Sequence, residues 1–315
     1  MDSFIYSLNA TMPVFLTIVI GYALRRIKML NESFVSVANK FNFKVTLPAM
    51  LFLDLASTNI RENFDLKYVL FCAAATTAAF FIIWGLAKLI IKDKSIIGAF
   101  VQASYRSSAA VLGIAFIQNI YGDSGMAPIM IIGCVPLYNV YAVLVLTLEG
   151  ENNGSGMEAV KKSLVNIAKN PIIISIFAGI AASLINIKFT PIIDKTINNL
   201  AVMASPLALI AIGAGFEGRK AIAKIKPSLA AAMIKTMVLP AVILPVSIIL
   251  GFRDQELIAL IIMLGSPTTP SSYIMAKNMN NDGVLTSSVI VLTTLISALS
   301  LTLWIFIARY NGYIM

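Results

Sequence analysis

The chain has 315 residues, 58% of them apolar and only 12% charged. A soluble domain carries about twice that share of charge, so the apolar excess has no core to fill and lipid is the expected solvent. The net charge of +9 does not point to nucleic acid, because Lys and Arg fall in short clusters between apolar runs, the pattern that orients membrane proteins.

There is no histidine, and Cys72 and Cys134 each sit inside an apolar run. Zinc sites of the HExxH kind, Ser-His-Asp and Cys-His catalysis and a disulfide framework are thereby excluded. No catalytic residue, metal site or cofactor is expected. At the N-terminus Arg25 and Arg26 follow the apolar stretch instead of preceding it, so the segment reads as a retained first span and not as a cleavable signal.

A span needs about 20 apolar residues. Ten are predicted, at 4–24, 34–56, 66–91, 96–120, 127–148, 171–187, 193–215, 228–250, 255–278 and 284–308. The second and seventh open on polar turns. With the N-terminus outside, inner loops carry 14 Lys and Arg, including Arg25, Arg26, Lys28, Lys88, Lys161, Lys162, Arg219, Lys224 and Lys277. Outer loops and the C-terminus carry 6, which are Arg61, Lys67, Lys188, Lys195, Arg253 and Arg309. The excess fixes both termini outside and calls for an even number of spans.

A shift of 158 residues lays Pro13 on Pro171, Gly21 on Gly179, Pro48 on Pro206 and Gly125 on Gly283. The predicted organisation is a five-helix repeat over 1–148, a cytoplasmic linker over 149–162 and a second five-helix repeat over 163–315. An odd number of helices per copy turns the second upside-down, the inverted repeat of secondary transporters.

Three ionisable residues fall well inside predicted spans: Asp54, Arg106 and Lys235. Such residues are costly in hydrocarbon and face a cavity or a partner. Asp54 lies near the outer end of its span, where it either reaches the interface or serves coupling. Lys235 either snorkels to the Lys224–Lys226 cluster or plays a charge role. Arg106 is too deep to snorkel.

Around Arg106 the chain reads Ser104-Tyr105-Arg106-Ser107-Ser108, and the matching part of the second copy reads Gly265-Ser266-Pro267-Thr268-Thr269-Pro270-Ser271-Ser272. Two prolines three apart prevent a regular helix, and broken backbone at membrane depth persists only where protein buries it or it lines a cavity. Both segments therefore point to a central site, where Arg106 and half-helix N-termini favour a carboxylate. Asn139, just after Pro136, is a further candidate for hydrogen bonding to substrate.

The chain resembles the auxin efflux carrier family, in particular its bacterial malonate and malate permease-type members, over nearly its whole length. The resemblance rests on Val45-Thr46-Leu47-Pro48-Ala49-Met50-Leu51-Phe52, Gln102-Ala103-Ser104 with Gly113, and Lys169-Asn170-Pro171. It continues through Ser205-Pro206-Leu207-Ala208-Leu209 with Gly213, Pro267-Thr268 and Ser272-Tyr273-Ile274-Met275-Ala276-Lys277. The chain departs from the family pattern at Ser108, where asparagine is common, and at Ala115, where proline is common; the plant carriers' second crossing proline falls at Ser272, with Pro270 close by.

What the resemblance implies is an all-α integral membrane fold of ten transmembrane helices in two inverted five-helix repeats, with broken fourth and ninth helices that cross. The first, second, sixth and seventh helices form a scaffold that often dimerises. The third to fifth and eighth to tenth form a transport domain that moves as an elevator. The expected substrate-binding set is Arg106, Ser107, Ser108, Pro267, Thr268, Thr269, Ser271, Asn139, Pro48 and Pro206, with Asp54 and Lys235 in a coupling or charge role. The expected function is transport of small organic anions in the cell (inner) membrane, with lipid and a second copy as partners. A Na+- or H+-coupled symporter of the bile-acid-transporter-like fold is the alternative. An intramembrane aspartyl protease needs two facing Asp residues and the spans offer one. A sensor usually carries an output domain, and the loops are short.

Overall fold

The computed structural model describes residues 2–57, 65–109, 117, 125–150, 165, 167–187 and 189–314. All regular structure among them is helical. The expected charges at Arg61, Lys161, Lys162 and Lys188, the family positions Gly113 and Ala115, and most of the linker lie outside the described residues.

In chain order the helices are α1 (Asp2–Arg26), α2 (Glu32–Phe41), α3 (Leu47–Ala56), α4 (Leu66–Ile90), α5 (Ile97–Tyr105), α6 (Ala127–Leu148), α7 (Pro171–Leu184) and α8 (Pro191–Ala201). They continue as α9 (Ala204–Ala214), α10 (Gly218–Ala223), α11 (Ile225–Met233), α12 (Leu239–Ile249), α13 (Asp254–Gly265), α14 (Ser271–Asn278) and α15 (Gly283–Tyr310). Five segments among the described residues are long and apolar enough to cross a membrane: Leu66–Ile90, Ala127–Leu148, Pro191–Ala214, Ile225–Ile249 and Gly283–Tyr310. The protein is therefore a multi-pass membrane protein, and Phe81, Ile82, Phe177, Ile249, Leu299 and Phe306 turn their apolar side chains outward as lipid requires.

Helix starts are set by side chains that satisfy the free amides of the first turn. Asn31 accepts from Phe34 N (2.8 Å), Asp65 from Tyr68 N (3.0 Å), Asn170 from Ile172 N (2.9 Å) and Asp282 from Leu285 N (2.9 Å). Two prolines widen the ladder instead of ending it. A π turn at Asn42–Thr46 joins α2 to α3 just before Pro48, and another at Ile234–Val238 joins α11 to α12 just before Pro240. In each, the residue before the proline bonds five residues back, Leu47 N to Asn42 O and Leu239 N to Ile234 O. A proline ring clashes with the carbonyl four residues earlier and gives it no donor. For Pro240 that carbonyl belongs to Thr236, and Trp304 Nε1 donates to it at 3.1 Å.

α1 packs along α9, and α3 along α7. Both contacts need a residue without Cβ: one added at Gly21 would lie 2.5 Å from Ile210 O, and one at Gly179 would lie 2.8 Å from Phe52 O. The two pairs are related by the same 158-residue shift. The segments starting at Pro191, Ile225 and Asp254 begin 157 to 159 residues after those starting at Glu32, Leu66 and Ile97.

The interior of the molecule is built on α5, every residue of which is buried, and α13, buried from Leu257 to Gly265. A helix apolar on all sides belongs inside protein. Their ends, where the backbone leaves helical geometry, are shielded from lipid.

Candidate functional site

Helix α5 stops at Tyr105, and Arg106 is extended (φ −71°, ψ 143°). Helix α13 stops at Gly265, Ser266 is extended (φ −69°, ψ 160°), and helix resumes at Ser271. Both interruptions expected from the polar and proline-rich runs are present.

The two interrupted segments lie against each other. Ser108 N donates to Pro267 O at 2.9 Å, and the Ser107 and Ser266 hydroxyls are 2.7 Å apart. Thr268 Oγ1 donates to Ala103 O (2.7 Å), and Gln102 Nε2 to Ser272 O (2.9 Å). Thr268 N donates to Thr293 Oγ1 of α15 at 3.1 Å. Backbone groups freed by the breaks thus find partners in the opposite segment or in α15, as membrane depth demands.

A cavity of about 30 Å³ opens where these segments meet α3, α6 and α9. Arg106, Ser107 and Ser108 line it from the first break, and Thr269 and Ser271 from the second. Asn139 and Tyr138 of α6, Asp54 of α3 and Ser205 of α9 add further polar groups, and Met50, Leu51 and Val135 supply an apolar part of the wall.

Arg106 is 2% exposed. One terminal nitrogen donates to Asn139 Oδ1 (2.8 Å) and Ser271 Oγ (3.0 Å), and the other reaches Met275 Sδ (2.9 Å). Its Nε is buried with no hydrogen-bond partner. Asn139 is held by its own donation to Val135 O at 2.9 Å. Tyr105 donates to Tyr138 O (2.9 Å), and Tyr138 to Met263 O (3.1 Å), so the wall around the guanidinium is itself tied down. No ion pair joins Arg106 to a carboxylate among the described residues. A buried cation held by neutral acceptors, with its Nε–H unpartnered, is suited to receive an anion.

The structure thus brings Arg106, Ser107, Ser108, Asn139, Thr269, Ser271 and Asp54 to one cavity. Pro267 and Thr268 stand behind it and hold the two breaks together. Pro48 and Pro206 do not line it; each is close in sequence to residues that do, Met50 and Ser205. Lys235 is fully buried, so it does not snorkel to the surface at the Lys224–Lys226 cluster. Its ammonium donates to the carbonyls of Leu264 and Met263 at the C-terminal end of α13, where free carbonyls favour a cation.

Tyr138, Ser205 and Met275 were not in the expected substrate-binding set. Ser205 and Met275 stood in the sequence only within the runs that carry the family resemblance, and Tyr138 only beside Asn139.

The sequence matches the family described as membrane transport protein over residues 6–305. It is 23% identical over 308 residues to "Uncharacterized transporter YfdV" of Escherichia coli (strain K12), covering 95% of this chain and 96% of that one. It is 21% identical over 304 residues to an "Uncharacterized transporter" of Methanothermobacter thermautotrophicus, covering 96% and 98%. A third relative, "Putative malonate transporter" of Rhizobium meliloti (strain 1021), is 23% identical over 304 residues, covering 95% and 94%.

Proposed function

The chain belongs to the membrane transport protein family, and we propose that it carries small organic anions across the cell (inner) membrane by an elevator-type alternating-access mechanism. The substrates are carboxylates in the size range of malate, malonate or auxin-like acids. The observation that carries this reading is Arg106, a buried guanidinium held by neutral groups where two helix breaks meet, with Nε unused. The N-terminus of α14 starts beside it at Ser271 and adds partial positive charge.

A cavity of about 30 Å³ has room for a water molecule and is too small for a dicarboxylate. Substrate binding therefore requires the walls to separate, which supports a cycle in which α5, α6 and α14 move against α3 and α9. The reciprocal glycine contacts, Gly21 on Ile210 and Gly179 on Phe52, support two inverted five-helix copies and ten spans in all. Lys and Arg clusters support both termini outside. The scaffold is proposed to pair with a second copy, and no enzymatic step is assigned.

The experiment is uptake by the purified protein in liposomes, with malate, malonate and indole-3-acetate as labelled substrates. Saturable uptake of at least one is expected. No flux of any anion by protein verified as folded would end the proposal.

A second reading is favoured by one observation: Asp54 lines the same cavity as Arg106. A carboxylate there fits a Na+- or H+-coupled symporter, in which the cation binds with the substrate.

A further inference from the structure

The break in α13 takes the helical donors away from two carbonyls of its last turn. In an unbroken helix Met263 O accepts from the amide of residue 267, and Leu264 O from that of residue 268. Residue 267 is proline and has no amide hydrogen, while Thr268 N is turned to Thr293 Oγ1 at 3.1 Å. The Tyr138 phenol donates to Met263 O at 3.1 Å. The Lys235 ammonium donates to Leu264 O and reaches Met263 O at 3.4 Å. Lys235 is carried there by the π turn Ile234–Val238 and is fully buried. It pairs with no carboxylate among the described residues.

The first copy treats its break differently. Ala103 O, near the end of α5, accepts from the Thr268 hydroxyl at 2.7 Å, a neutral donor. The 158-residue shift lays Lys235 on Thr77, whose hydroxyl bonds within its own helix, to Ala73 O at 2.7 Å. Freed carbonyls at such an end therefore do not by themselves demand a cation. What a cation adds is charge. The carbonyl end of a helix is partly negative, and in secondary transporters the carbonyl ends of broken helices coordinate a free Na+ or H+. Here that end stands directly behind the central cavity, since Tyr138 both lines the cavity beside Arg106 and bonds Met263 O.

We propose that the break in α13 creates a cation-binding position and that Lys235 fills it as a tethered ion, in place of a free Na+. The ammonium satisfies the two carbonyls and offsets the negative helix end that an anion in the cavity would otherwise meet. Deleting the side chain opens the position to a small monovalent cation: Na+, or methylammonium, which reproduces the lost Cε and Nζ. The cation position stands on this geometry alone. Its consequence, that anion uptake needs a positive charge at the end of α13, rests on the carrier reading.

The test melts the purified full chain in detergent, as parent, Lys235→Ala and Lys235→Met, in equal concentrations of choline, sodium or methylammonium chloride. Choline is too large for the space vacated. Lys235→Ala should melt about 2 °C or more higher in sodium or methylammonium than in choline, beyond any difference the parent shows. Lys235→Met, which fills the space without charge, should show no such gain. Lys235→Ser, whose hydroxyl can itself bond a carbonyl, is the second variant where Lys235→Ala does not fold. In liposomes the small-cation salts should restore part of the anion uptake lost in Lys235→Ala and none of that lost in Lys235→Met. A Lys235→Ala variant that melts alike in the three salts, or an equal gain in Lys235→Met, overturns the proposal. The two readings fail separately. If the parent moves no anion while Lys235→Ala gains stability from small cations, the carrier reading falls and the cation position stands. If the parent transports and Lys235→Ala shows no gain, the position falls and the carrier stands.

Discussion

Asn139 accepts a hydrogen bond from the Arg106 guanidinium at 2.8 Å, across from the hydroxyl of Ser271 at 3.0 Å. The α6 helix and the second break thus hold one cation between them without neutralising it. Arg106→Ala removes the charge-assisted contact proposed for the substrate, and affinity should fall by about 1.5–3 kcal/mol, or tenfold and more. Asn139→Leu keeps the charge but strips an acceptor from a buried donor, and should cost about 1–3 kcal/mol of stability. Thermal-shift titration with the transported anion reads both. Unchanged affinity in Arg106→Ala would make the arginine a structural residue.

The two glycine contacts make a symmetric prediction. Gly21→Ala places a Cβ 2.5 Å from Ile210 O, and Gly179→Ala places one 2.8 Å from Phe52 O. Backbone atoms cannot swing aside, so each helix pair must part, at about 1–3 kcal/mol per substitution. Melting in detergent should show both variants destabilised to a similar degree. A neutral Gly179→Ala beside a damaging Gly21→Ala would contradict the reciprocal arrangement.

Much of this architecture was legible because hydrocarbon leaves the backbone few choices. The expected spans 66–91 and 127–148 appear as Leu66–Ile90 and Ala127–Leu148, and the run from Gly265 to Ser272 breaks as its prolines require. Less legible was how Pro48 and Pro240 are absorbed by π turns, because that depends on a partner for the freed carbonyl, and Trp304 lies far along the chain from Thr236. The places of Tyr138 and Ser205 were missed for a related reason. In a helix apolar on every side, periodicity does not tell which stripe faces a cavity. The contact of Lys235 with the end of α13 was equally hidden, since it is set by tertiary packing alone.

Lys235 supplies a third test. Its ammonium is fully buried and bonded to the carbonyls of Leu264 and Met263, with no carboxylate in an ion pair among the described residues. Burying an ammonium costs several kcal/mol before any return from such bonds, so stability alone is a poor reason for lysine at this position. Lys235→Met should therefore melt within about 1 kcal/mol of the parent or above it, while uptake falls sharply because the end of α13 loses the charge pinned to it. A variant that melts well below the parent and still transports would assign Lys235 to structure.

Asp54 decides between the two transport readings. It sits in the cavity wall with Arg106, so a cation bound at its carboxylate would share the substrate's space. In a coupled symporter, removing that charge abolishes the dependence of uptake on an imposed Na+ or H+ gradient while downhill flux persists. In a carrier driven by the anion gradient or the membrane potential, the parent already ignores such gradients. Asp54→Asn then changes affinity, with the sign set by local charge: a carboxylate beside the binding cation repels an incoming anion, so its amide should bind the substrate more tightly. Liposome uptake measured with and without each gradient, in parent and Asp54→Asn, separates the cases. Gradient dependence that survives Asp54→Asn would place coupling elsewhere and leave Asp54 as part of the wall.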